Sequence, residues 1–174
     1  MMTGAGGLFE AQAQVQARGE APPGQTAGLK QVGAALLKVF GFEVYQARLW
    51  AEPGFQPDRY EQYRLALELA YLRNLDGAAI AQRSLKEMQR LETLSESQGR
   101  QWLADMTRLF PDVRKGDRIT GSYQPGRGVS FQLNDRPLGE VNDPAFARLF
   151  MGIWLSPRTS EPEMRRQLTG NAGP

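Results

Sequence analysis

From Leu36 to Trp50 the run LLKVFGFEVYQARLW is dense in β-branched and aromatic residues. In an extended chain Phe40, Phe42 and Val44 fall on one face and Val39, Tyr45, Ala47 and Leu49 on the other. Apolar residues on both faces predict a central strand, with Gly41 marking a bulge or a close backbone approach. Pro53, Gly54 and Pro57 then signal turns. Between Tyr63 and Leu72, Leu65, Leu67, Leu69 and Tyr71 recur at period two, whereas the Ala, Leu and Glu content favours a helix. The pattern makes this segment a second strand.

The period changes after Asp76, where Ile80, Ser84, Leu85, Met88 and Leu91 share one helical face. Ser95 with Gln98 forms a capping-box start for a second helix that buries Trp102, Met106, Leu109 and Phe110. It stops at Pro111, because the residue before a proline is pushed out of the α region. From Gly116 to Val141 alternation is broken by Pro125-Gly126, Gly128, Asn134-Asp135 and Gly139, which predicts an antiparallel meander with Ile119, Phe131, Leu133 and Leu138 inward. Asp143-Pro144 opens a helix carrying Phe146, Leu149, Phe150, Ile153 and Trp154. Ser160 with Glu163 caps a short last helix that ends at Gly170. Strands in blocks beside helices in blocks predict an α+β fold with an antiparallel sheet, and no internal repeat interrupts it.

Composition narrows the chemistry. The chain has 174 residues, a size for one domain, with a lead-in at 1–24, a body at 25–170 and a tail at 171–174. Its 21 Lys+Arg against 19 Asp+Glu are interspersed, which implies no nucleic-acid partner. Cysteine and histidine are absent, removing disulfides, thiolate zinc sites and the usual nucleophile systems. Carboxylate-held Mg²⁺ or Ca²⁺ is the metal class left open, and no cofactor is implied. No stretch approaches 18 consecutive apolar residues, so no membrane-spanning helix is expected. The lead-in lacks a signal peptide's basic start and apolar core. The chain as written therefore reads as cytoplasmic, and as periplasmic if its native start has been truncated.

Longer strings carry more information. KVFGFEVYQARLWAEPGF, LALELAYLRNLDGAAIAQRSLKEM, LFPDVRKGDRITGSYQPGRGVSFQLNDRPLGEV and FARLFMGIWLSPRTSEPEMRRQLTG together resemble the bacterial chalcone-isomerase-like proteins over roughly Leu29 to Gly170. The resemblance implies a large antiparallel sheet covered on one side by helices, with a cleft between them. In plant chalcone isomerases that cleft closes a flavonoid ring, and in related non-catalytic plastid proteins it binds fatty acids. Carried over by position, the plant enzymes' hydrogen-bonding Thr falls at Phe40. Their Arg falls in Gly28 to Lys30, where Lys30 alone could substitute. Their Tyr falls at Ile80, their Asn at Glu87 and a late polar group near Leu149 or Phe150. Each lost positioned donor costs on the order of 10² to 10³ in rate, so plant-type cyclisation is not expected.

The expectation is a non-catalytic binder of a small apolar ligand such as a fatty acid, an isoprenoid or a phenolic compound. Its cleft would be lined by Phe40, Phe42, Tyr71, Ile80, Trp102 and Leu149. Ordinary core packing is the competing reading for these residues. An isomerase or intramolecular lyase using Lys30, Tyr45 or Glu87 is the alternative, and a structural or protein-interaction role a third. Glu43 and Glu68 suggest a carboxylate pair but more readily face Arg48, Arg64 or solvent. PGRG at 125–128 lacks the GKS or GKT ending of a phosphate loop and reads as a hairpin turn.

Overall fold

The computed structural model describes residues 24–170. The expected lead-in as far as residue 23, and the tail at 171–174, lie outside the described residues. Six strands, β1 (Lys30–Val39), β2 (Phe42–Ala51), β3 (Leu65–Tyr71), β4 (Arg118–Gln124), β5 (Gly128–Leu133) and β6 (Arg136–Val141), form one sheet in sequence order. Every neighbouring pair is antiparallel. Helices α1 (Gly77–Leu91) and α2 (Glu96–Leu109) join β3 to β4, while α3 (Pro144–Leu155) and α4 (Pro162–Leu168) follow β6. Within the segment from Tyr63 to Leu72, over which pattern and propensity disagree, Leu65–Tyr71 is strand β3, buried on both faces: pairing with β2 and β4 on its two sides outweighs helix propensity.

The run from Leu36 to Trp50 is not one interrupted strand. Phe40 and Gly41 have φ of +51° and +80° and form a two-residue turn between Val39 and Phe42, so the run folds back as a hairpin. Two consecutive positive φ values define the turn that matches the twist of paired strands. Glycine fits the second position at no steric cost, while Phe40 holds a conformation that bulky residues rarely adopt. The strand expectation missed β1, whose Lys30–Leu37 portion carries little alternation to announce it. The meander and both helix pairs lie where the pattern put them.

One face of the sheet packs against the helices. Ala47, Leu49, Leu65, Leu67, Ile119, Val129 and Phe131 point into this core and meet Met88, Trp102, Met106, Phe146 and Phe150. Helix α3 packs against α1 and β5, and α4 lies against β1 and β2. That last approach depends on Gly33, where a Cβ atom would run into the backbone carbonyls of Gln167 and Leu168. Two caps fix the helix starts. The Ser95 hydroxyl accepts from Gln98 N, and Asp143 Oδ1 accepts from Ala145 N and Phe146 N. Asp143 Oδ2 also accepts from Trp102 Nε1 at 3.0 Å, so one carboxylate both caps α3 and ties it to α2. Among the described residues no helix is long and apolar enough to cross a membrane.

Candidate functional site

Between sheet and helices is a cavity of about 560 Å³. Its floor is Leu37 of β1, Tyr45 of β2, Leu69 and Tyr71 of β3 and Ile119 of β4, and its roof includes Ile80, Ser84 and Glu87 of α1 with Phe150, Ile153 and Trp154 of α3. Val39, Phe40, Phe42, Arg73 and Asn74 stand at the hairpin end of it. At this end α1 and α3 present half-buried Ile80 and Ile153 to the space. Deeper in the core the contact is filled by aromatic rings: Phe110, Phe131, Phe146 and Phe150 pack at 5.0 to 6.0 Å between centroids, Phe146 stacked on Phe150 and Phe131 edge-on to Phe110 and Phe150.

Polar groups on the wall are few. The Tyr45 hydroxyl accepts a hydrogen bond from Trp154 Nε1 at 3.0 Å, which leaves its own proton to donate. Its ring meets that of Tyr71 edge-on at 5.9 Å. The Ser160 hydroxyl donates to Glu87 Oε2 at 2.7 Å, and Arg83 lies 3.4 Å from Glu87 Oε1. Burial pushes Tyr45 up to about 12, partly offset by the bond from Trp154, and burial raises Tyr71 further. Both phenols are therefore protonated donors at neutral pH and cannot serve as bases there.

The sign of this shift gives a pH prediction. In the unfolded chain a tyrosine ionises near ~10. The folded state holds its proton to higher pH, so the stabilising contribution is complete below pH ~10 and is lost as pH rises through the folded value of about 12. An alkaline titration followed by phenolate absorbance should place the difference between wild type and Tyr45→Phe near pH 12. A difference developing near the ordinary tyrosine value would mean that Tyr45 meets bulk water.

Of the residues singled out from sequence, Phe40, Phe42, Tyr45, Tyr71, Ile80 and Glu87 line this cavity. Three lie elsewhere. Lys30 pairs with Ala51 at the far end of β1, about 30 Å along the strand from the hairpin at ~3.3 Å per residue, so it does not join Tyr45 and Glu87. Trp102 is 1% exposed and packs edge-on against Phe146 at 5.6 Å. Leu149 lines a smaller cleft with Tyr60, Leu91 and Arg148, while its neighbour Phe150 faces the cavity. Glu68 pairs with Arg48 on the other face of the sheet, and Glu43 is exposed. Leu37, Ile153, Trp154 and Ser160 were not expected at the site. Helix α3 is apolar nearly all round, so its sequence does not disclose which residues face the void.

The comparisons with known proteins agree with this architecture. A family model described as chalcone isomerase-like matches residues 11–170. An uncharacterized protein of Haemophilus influenzae is 32% identical over 129 residues, covering 74% of this chain and 62% of its own length. The chain thus spans less than two thirds of that relative. A crystal structure of a fatty-acid binding protein from Arabidopsis thaliana superimposes with a TM-score of 0.66 at 14% identity, over 83% of this chain and 88% of that one. At that identity the likeness concerns the fold. With sheet order, helix placement and the match over 11–170 in agreement, the chain belongs to the chalcone isomerase-like family.

Proposed function

We propose that this protein binds a small, elongated apolar molecule without transforming it, with a fatty acid as the leading class. The observation that carries the reading is the cavity of about 560 Å³ under α1 and α3, inside the range of roughly 300–1,000 Å³ usual for small-molecule sites. Its walls are mainly aliphatic and aromatic, and Tyr45 and Tyr71 offer phenolic protons to a ligand's oxygen. That the structurally similar Arabidopsis protein is a fatty-acid binding protein supports the same class. Absence of catalysis fits the apolar Ile80 at a position that the resemblance makes polar in plant enzymes, and the remoteness of Lys30.

A chain-length series tests the reading. Displacement of a fluorescent fatty acid by saturated acids from octanoate to stearate should show affinity climbing about fourfold per methylene, the equivalent of ~0.8 kcal/mol, until the cavity is full. Native mass spectrometry of protein purified from its host should then find an apolar molecule of matching size. Affinity that ignores chain length, or no displacement by any of the series, would overturn the assignment.

A further inference from the structure

The hairpin at the cavity mouth exposes what a soluble domain ordinarily hides. Phe40 is 96% and Phe42 61% exposed, and Leu36, further along β1, is 38% exposed. Phe40 occupies the turn position where Asn or Gly would relieve strain, yet its ring makes no aromatic or cation–π contact among the described residues. A strained and solvated phenylalanine gains nothing inside the molecule, so its return must come from a partner.

The surroundings identify the partner's chemistry. Arg73 lies over the Phe42 ring at 5.0 Å. The segment after α2 runs alongside the end of β3, with Leu75 bridged to Val113, Gly116 N donating to Tyr71 O and Lys115 N donating to Asn74 Oδ1. This brings exposed Arg114 and Lys115 to the same end of the sheet. Arg73, Arg114 and Lys115 make no ion pair among the described residues. The nearby acids are differently placed: Asp112 accepts from Gly77 N and Asp117 from Arg114 N, while Glu43 faces Lys38 across the hairpin and Asp76 is exposed at the start of α1. Two exposed aromatics flanked by three exposed cations match an anionic bilayer, with the rings at the acyl boundary and the cations among the headgroups.

We infer that the β1–β2 hairpin tip, with Arg73, Arg114 and Lys115, docks this protein on an anionic lipid surface and there opens its cavity to the bilayer. The inference rests on the apolar-ligand reading for its purpose, but not for its test. The mouth residues Phe40 and Phe42 belong both to the exposed patch and to the cavity wall. An apolar molecule would thus pass from acyl chains to cavity without crossing water.

The test is sedimentation of the protein with vesicles of phosphatidylglycerol and phosphatidylcholine, against phosphatidylcholine alone, at low and high salt. Partition onto the anionic vesicles is expected, weakening with salt. Phe40→Asn, which suits the turn better and so keeps the fold, should lower it at least tenfold. Lys115→Glu should lower it about tenfold on anionic vesicles alone while leaving fatty-acid affinity in buffer unchanged. Failure to partition, or partition indifferent to Phe40→Asn, would overturn the docking and leave ligand binding standing. Partition without any fatty-acid binding would leave the docking and remove the proposed function. A wild-type dimer dissolved by Phe40→Asn, with no vesicle binding, would give the patch to a second copy and overturn the lipid assignment.

Discussion

Glu68→Ala is expected to lower the stability of the fold by about 3–5 kcal/mol, more than the loss of most core methyl groups. Glu68 lies directly opposite Arg48 in the β2–β3 register, and Arg48 Nε donates to Glu68 Oε1 at 3.0 Å with a second bond from Nη2. The two side chains are 2% and 6% exposed. They belong to the face of the sheet turned away from the helices, in a row that continues through Thr120 and Gln132. Arg48 also lies over the Trp50 ring at 5.5 Å, and its Nη1 has no hydrogen-bond partner among the described residues. Desolvating both ions offsets most of their attraction, so the pair itself contributes little. Removing one partner, however, strands the other as a buried charge. The double change Arg48→Met, Glu68→Leu should therefore recover most of the loss, returning to within about 1–2 kcal/mol of wild type. Urea denaturation of both single variants and the double one checks the cycle. A Glu68→Ala cost below ~1 kcal/mol would show that water reaches the pair, as at an exposed bridge.

The same pair marks how far the sequence can be read. Period-two alternation located β2 to β6, because each has neighbours on both sides or a turn chemistry that announces it. Alternation cannot say that Phe40-Gly41 reverses the chain, since an aromatic in a turn of this kind contradicts the usual Asn-Gly preference. Without that reversal β1 had no partner and stayed hidden. The conflict at β3 was decided by pairing, a tertiary effect that helix propensity does not contain. At the site, Tyr45, Tyr71, Ile80 and Glu87 were legible from strand and helix phase together with the family resemblance. Leu149 and Phe150 differ by one position on a helix that is buried nearly all round, and phase alone could not choose between them. Trp102 failed as a cavity residue for a polar reason: its indole N–H is held by Asp143, which anchors the ring in the α2–α3 contact. Lys30 failed because the strand holding it was not recognised, so its distance from the cleft was invisible.

Filling the cavity from above should separate long ligands from short ones. Ile80 projects from α1 into the space over Tyr45 and Tyr71, and is half-buried, so a larger ring there can enter the void with little repacking of the core. Ile80→Trp removes room for roughly two or three methylenes, each contributing about 0.8 kcal/mol of binding. Long saturated acids should lose about 2 kcal/mol, roughly thirtyfold in affinity, because their distal carbons no longer fit. Octanoate, too short to need that volume, should bind as in wild type. The chain length at which affinity stops climbing should move down by the same two or three carbons. Ile153→Trp, entering from α3, serves as the independent copy of the experiment should the α1 variant disturb its helix. The discriminating quantity is the ratio of long-chain to short-chain affinity, which general destabilisation would not change. Equal losses at every chain length would mean that Ile80 acts on the mouth or on the polar end. A thirtyfold loss confined to the long acids would place their methylene tails beneath α1.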